Sequence, residues 1–267
     1  MLVPRVVAIS YFSGRRGGTG KSTLAANQAI ALSMALRTNV VLMDFGMDST
    51  QTSSRLLGIN PDRPGVLDYV FGLVKDVGQV VVRSNVAPSV FVIPPGTLRS
   101  WELWDRPINA RQVYDALRNL LITVSRLVNA QVVLIDLPAS IEVTPVLALL
   151  NSNIINLVMD YVSYVDVVLT EIDNLIRSLI QSRQYPIVNV VLNKWLPGLD
   201  VVEPKARAFA HNGEVFVLPT SQVVQYLTAS QKPFVLYKPR GSLEGFVREF
   251  NKLNDELARQ VKALLGL

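Results

Sequence analysis

The stretch from Ser13 to Thr23, reading Ser-Gly-Arg-Arg-Gly-Gly-Thr-Gly-Lys-Ser-Thr, constrains this chain more than any other. It follows the apolar run Val6, Val7, Ala8, Ile9, which reads as a buried strand, and precedes the Ala- and Leu-rich span from Leu24 to Leu36, which reads as a helix. A glycine-rich loop ending in Gly-Lys-Ser at a strand-to-helix junction is a phosphate-binding loop. Gly17, Gly18 and Gly20 let backbone N–H groups turn around an anion without side-chain clashes, and the N-terminus of the helix adds free N–H groups and a positive dipole end. Lys21 is placed to reach the β- and γ-phosphates of a nucleotide, and Ser22 to offer its hydroxyl to Mg²⁺, with Thr19 and Thr23 completing the segment.

Such a loop requires a sheet beside it, and the composition supplies one. Of the 267 residues, 49% are hydrophobic, and they recur as continuous runs rather than alternating ones: Val40 to Met43, Val90 to Ile93, Val132 to Ile135, Ile154 to Met159, Ile187 to Leu192 and Val215 to Leu218. Strands covered on both faces read this way. Helical stretches separate most of them, among them Arg111 to Leu127, about Tyr164 to Gln181, and Gly241 to Leu265. In the last, Phe246, Phe250, Leu253, Leu257, Val261 and Leu264 mark one apolar face for packing on the sheet. The pattern predicts an α/β fold, a doubly wound, mostly parallel sheet with helices on both faces, and no stretch reads as a linker, so residues 1–267 are expected to form a single domain.

Two strands end in acids. Gln131 to Leu137 reads Gln-Val-Val-Leu-Ile-Asp-Leu, and its Asp136 has the setting of a Walker B carboxylate that holds Mg²⁺ through water. The strand from Asn39 to Met43 delivers Asp44 at the edge where open α/β sheets bind ligands, so Asp44 is expected to order the attacking water or a Mg²⁺-bound water; Asp48 reads as a turn acid. The strand from Ile187 ends in the polar pair Asn193-Lys194, a turn former or a contact to the base.

The order Arg16-Gly-Gly-x-Gly-Lys-Ser resembles the deviant Walker A loop of the ParA/MinD family of ATPases, in which a basic residue before Gly-Gly reaches across a dimer to the partner's ATP. By position that residue is Arg16, an arginine where the family has lysine, with Arg15 as the extra residue of a longer loop. The resemblance covers nearly the whole chain and implies a P-loop NTPase fold, slow Mg²⁺-dependent ATP hydrolysis with ATP and Mg²⁺ as cofactors, and a homodimer bridged by ATP. It assigns Arg16, Lys21, Asp44 and Asp136 to catalysis, Ser22 and Asp136 to the metal, and Gly17, Gly18, Thr19, Gly20, Lys21, Ser22, Thr23, Asn193 and Pro219 to the nucleotide. Asp136-Leu-Pro138 resembles the family's γ-phosphate switch, with Ala139 where a second proline is common; Gly46 departs from the family's Asp-x-Asp, and Thr220 replaces an acid near the adenine. GTPases of the same broad class need Asn-Lys-x-Asp, and Leu196 in that last place favours ATP.

The resemblance leaves two functions open. One is a ParA-like partition ATPase, cytoplasmic and nucleoid-associated, that binds nonspecific DNA and works with a centromere-binding ParB-like protein. Lys205, Arg207, Lys232, Lys238, Arg240, Arg248 and Lys252 are candidates for its phosphate-contacting face, given a net charge of +5, though basic residues are spread without a long block. The other is a MinD-like ATPase that positions a division, polarity or surface apparatus through protein contacts. The helix that ends at Leu265 leaves no separate membrane anchor, so a membrane partner is not expected. The lack of cysteine excludes disulfides and thiolate metal sites, and with them the iron–sulfur relatives of this loop. Small-molecule synthetases share the loop, but no constellation for a carboxylate substrate is visible.

Overall fold

A computed structural model describes residues 6–46, 51–104, 109–160, 166–181, 185–196, 198 and 206–267. Its strands are β1 (Val7–Phe12), β2 (Asn39–Asp44), β3 (Val82–Arg83), β4 (Val90–Ile93), β5 (Ala130–Asp136), β6 (Ile154–Met159), β7 (Ile187–Trp195) and β8 (Asn212–Pro219). They form one sheet in the order β3-β4-β2-β5-β1-β6-β7-β8, parallel throughout except for the antiparallel edge pair β3 and β4. The helices are α1 (Lys21–Leu36), α2 (Thr52–Leu56), α3 (Val66–Val70), α4 (Leu98–Trp104), α5 (Ala110–Leu127), α6 (Val143–Leu150), α7 (Asp166–Gln181), α8 (Gln222–Ala229) and α9 (Ser242–Leu265).

Continuous apolar strands are explained by two cores, one on each face. Along β2, Val40 and Leu42 join the core beneath α1, α2, α8 and α9, while Val41 and Met43 join the core beneath α3, α5, α6 and α7. In β5, Val132 and Leu134 divide from Val133 and Ile135 in the same way. Successive side chains point to opposite faces, so a strand covered on both must be apolar at every position. The crossover from β1 to β2 skips the place later filled by β5, so the crevice lies at the carboxyl ends of β1, β2 and β5.

Most of the expected elements form within a few residues of their predicted bounds. In α9, Phe246, Phe250, Leu253, Leu257 and Val261 are buried, but Leu264 is 36% exposed, and Leu265 packs against the core in the last turn. Phe234 locks this helix with edge-on contacts to Phe246 and Phe250, at centroid distances of 5.1 and 4.9 Å. The sequence pattern did not predict α8, whose N-cap Ser221 accepts from the N–H of Val224 at 3.3 Å.

A polar ladder crosses the apolar face beneath α9. Tyr11 of β1, Asn156 of β6 and Asn189 of β7 are register partners on neighbouring strands. Asn189 Nδ2 donates to Asn156 Oδ1 at 3.1 Å and to Gln260 Oε1 of α9 at 3.0 Å; its Oδ1 accepts from Gln260 Nε2 and from the N–H of Glu214, each at 3.0 Å. Asn189, with all of its own hydrogen-bonding capacity used, fixes both strand register and the seating of α9. Asn189→Ala would strand these buried partners and lower stability by about 2–4 kcal/mol, read as a fall in the urea midpoint at constant slope.

Candidate nucleotide site

The loop after β1 is shaped by its own backbone. Ser13 Oγ donates to the carbonyl of Arg16 at 2.6 Å, and the N–H of Arg16 returns to the carbonyl of Ser13 at 3.2 Å. The chain then passes Gly18 at φ +75° and Gly20 at φ +97°, left-handed values that only glycine adopts cheaply, before entering α1. A Cβ at Gly20 would lie 2.2 Å from Asn193 Nδ2, so space as well as torsion requires glycine there. Lys21, the first residue of α1, is buried; Arg15 and Arg16 stand exposed at the rim. Arg15 Nε pairs with Glu171 Oε2 of α7 at 3.3 Å.

Asp44 and Asp136 end adjacent strands and are register partners, so two carboxylates face each other at the sheet edge. Both are buried. Asp44 is held from one side: Oδ1 accepts from the N–H of Gly46 at 2.8 Å, and Oδ2 from the N–H and hydroxyl of Ser54 at 3.1 and 2.6 Å. A Cβ at Gly46 would meet Asp44 Oδ1 at 2.9 Å, which accounts for glycine where the family's second aspartate was expected. Asp136 Oδ1 is buried with no hydrogen-bond partner among the described residues. Burial first, then the charge of Asp44, pushes the Asp136 carboxyl up to about 7, against the pull of Lys21 and the hydroxyls of Ser22 and Ser53. Burial raises Asp44 as well, opposed chiefly by Ser54.

These groups line a cavity of about 710 Å³, within the range of small-molecule sites. At one end lie Gly17, Gly18, Gly20, Lys21, Ser22, Thr23, Asp44 and Asp136, with Pro138 and Ala139. Toward β7 and β8 it reaches Asn193, Lys194, Pro219, Ser221, Gln225, Thr228 and Phe246. Thr19 is buried behind the loop, its carbonyl accepting from Asn193 Nδ2 at 2.7 Å.

The sequence therefore named both ends of the cavity but missed its α8 wall, where Gln225 and Thr228 stand. The Ser221 cap followed by Val224 and Leu227 was the available signal, weak because the helix is only 8 residues long. The basic candidates do not gather in the same way. Lys232, Lys238 and Arg240 share the exposed connection between α8 and α9, whereas Arg207 precedes β8 at the opposite, N-terminal edge of the sheet. Arg248 and Lys252 both pair with Glu249 on α9, at 3.2 and 2.7 Å. Lys205 and Asp48 lie outside the described residues.

A family model described as the CobQ/CobB/MinD/ParA nucleotide binding domain matches residues 11–234. The chain belongs to this family. No curated protein matches it significantly by sequence. Among solved structures, it is similar to a protein described as a plasmid partition protein from Borrelia burgdorferi B31 bound to AMPPNP, with 17% identity, TM-score 0.72 and coverage of 96% of this chain and 99% of that one. The septum site-determining protein MinD of Pyrococcus horikoshii, complexed with Mg-ADP, aligns at 20% identity and TM-score 0.71 over 97% and 98%. A chain of the Aquifex aeolicus MinC:MinD cell division protein complex aligns at 19% identity and TM-score 0.67 over 94% and 96%. At these identities the likeness is one of fold, the eight-stranded, mostly parallel P-loop NTPase architecture of ParA and MinD ATPases.

The carboxylate pair makes the nucleotide-free protein pH-sensitive. Asp136 holds its proton to about 7 when folded, against 3.8 for an unperturbed aspartate. Its contribution to stability is fully present below 3.8 and is lost as pH rises through about 7. Asp136→Asn keeps the neutral shape at every pH, so its melting temperature should climb relative to the parent across this window and level off above it. The plateau should correspond to a few kcal/mol, on the order expected for a carboxylate shifted this way. Parallel melting curves at all pH values would contradict the assignment.

Proposed function

We propose that this chain is a ParA-like ATP switch, a single domain over residues 1–267 that dimerises on ATP, binds nonspecific DNA and releases both on slow hydrolysis. The observation that carries the reading is the meeting of Lys21 and two buried carboxylates at the mouth of a glycine-rich loop, in a family member whose cavity extends to Asn193. A single sheet built from strands between Val7 and Pro219, with α9 packed on it, supports the one-domain view.

Lys21 and the loop N–H groups draw negative charge toward themselves as the bond from the γ-phosphorus to the bridging oxygen breaks, leaving ADP and phosphate. Asp44 orders the water whose oxygen attacks, its own orientation fixed by Gly46 and Ser54. Mg²⁺ fits beside Ser22 and Asp136, because Asp136 Oδ1 is an unpartnered buried acceptor in a site short of positive charge. When bound, the ion neutralises charge shared by the β- and γ-phosphates. Pro138 and Ala139, beside the loop, are placed to register the γ-phosphate. Asn193, against the loop, and Pro219 beyond it hold the base. Arg16 acts on the partner's nucleotide, and the pairing of Arg15 with Glu171 in the same chain supports that choice between the two arginines.

Lys232, Lys238 and Arg240 form the core of the DNA-contacting surface in this reading, and a nucleoid location with a centromere-binding partner follows from it. The second reading, a MinD-like positioning ATPase, is favoured by one observation: Arg248 and Lys252 share the single carboxylate of Glu249, while the connection bearing the other cations also exposes Leu236 and Tyr237. That mixture suits a protein partner as well as a phosphate backbone. No described helix is long and apolar enough to cross a membrane.

Light scattering with ADP, with ATP, and with ATP after Arg16→Ala tests the switch. A dimer with ATP alone, lost in the variant, is the expected result; a monomer in every state would overturn it. Adding an arbitrary DNA duplex to the ATP dimer should give binding that weakens steeply with salt, and Lys238→Ala with Arg240→Ala should flatten that slope by about one to two contacts. A dimer indifferent to DNA selects the positioning reading.

A further inference from the structure

Two neighbouring side chains at the tip of β7 each donate to a carbonyl of the phosphate loop. Asn193 Nδ2 donates to the carbonyl of Thr19 at 2.7 Å, and Lys194 Nζ donates to the carbonyl of Gly18. Consecutive residues of a regular strand point to opposite faces, so two adjacent side chains should not reach the same loop. Here the strand is broken to allow it. Lys194 takes φ +58°, a left-handed value unusual for lysine, and the β7–β8 register shifts between Leu192 and Trp195. A locally strained backbone that brings a charged donor onto the phosphate loop marks a position held for a reason other than packing.

We propose that Asn193 and Lys194 form a clip that orients the phosphate loop, with Lys194 a positioning residue for the phosphates of the nucleotide; this rests on the nucleotide-binding reading above. In a planar trans peptide the C=O of one residue and the N–H of the next point in opposite directions. Pinning the carbonyls of Gly18 and Thr19 toward β7 therefore turns the N–H groups of Thr19 and Gly20 away from it, as donors for an anion held by the loop. The ammonium of Lys194 also polarises the peptide unit that it grips, which strengthens the N–H at its other end. Gly20 belongs to the same device, because the place of its missing Cβ is taken by Asn193 Nδ2.

The clip joins the two halves of the cavity. Asn193 and Lys194 line it beside Pro219 and Gln225, and they hold the loop that meets the phosphates. Seating of the base and order in the loop are thereby linked through one strand tip, although Lys194 contacts the loop rather than the phosphates. Lys194 itself is only half-buried, so its removal leaves no large void.

The test is calorimetric titration of ATP and, separately, of adenosine into the parent protein, Lys194→Met and Lys194→Arg, with the melting temperature of each free protein. Loss of one charge-assisted hydrogen bond to the loop should weaken ATP binding by about tenfold or more in Lys194→Met. Adenosine affinity and the melting temperature should stay near the parent values, and Lys194→Arg should recover most of the ATP affinity. Parent-like ATP binding in Lys194→Met overturns the clip, as does an equal loss for ATP and adenosine, which would make Lys194 a base contact. An arginine variant no better than methionine overturns it too. If the parent protein binds no ATP, the nucleotide-binding reading falls and takes the clip with it.

Discussion

Two carboxylates in register on neighbouring strands, both buried, set the terms for the rest of this structure. Asp44 and Asp136 repel each other across the β2–β5 ladder, and burial removes the water that would screen them. A fold accepts such a pair only with nearby positive charge or with a retained proton. Here burial and the charge of Asp44 raise the Asp136 carboxyl so that it retains its proton, and Lys21 offsets part of the field. The parallel sheet explains why the acids meet at all. With β5 inserted between β1 and β2, the ends of three strands converge, one carrying the loop and two carrying the acids. Moving either acid by a single residue along its strand would turn it to the other face of the sheet.

The loop is tied to the rest of the molecule through α1. Asn27 Nδ2 donates to the carbonyl of Thr23 at 2.8 Å, one turn into the helix, while its Oδ1 accepts from the N–H of Val235 at 3.1 Å. Gln28 Nε2 reaches Asn254 of α9 at 2.5 Å. These bonds join the phosphate-loop helix to the connection that bears Lys232, Lys238 and Arg240, and to the helix that bears the Glu249 ion pairs. The nucleotide cavity and this exposed basic connection are therefore neighbours through α1 and α8.

Much of this was legible in the sequence where local chemistry and strand periodicity agree. The loop, the strand-end aspartate Asp136 and the apolar strands follow from short-range rules, and in the structure the loop and this acid meet at one cavity beside those strands. What was not legible depends on tertiary geometry. Gly46 looked like a defect in an Asp-x-Asp pattern, yet it leaves room for Asp44 Oδ1. The role of Lys194 hangs on a left-handed torsion and a register shift that no periodicity reveals. The α8 wall is too short to show a clear helical stripe. Among the basic residues, composition alone could not separate the exposed Lys238 and Arg240 from Arg248 and Lys252, which share Glu249.

The central claim is that the buried carboxylate pair is completed by a metal-bound nucleotide. Its most direct measurement is the melting temperature against pH with ATP and Mg²⁺, compared with ATP and a chelator. On this account the loss of stability as pH approaches about 7, where Asp136 ionises, is reversed by ATP with Mg²⁺ and persists with ATP alone. Equal stabilisation with and without the ion, or none in either case, would contradict it.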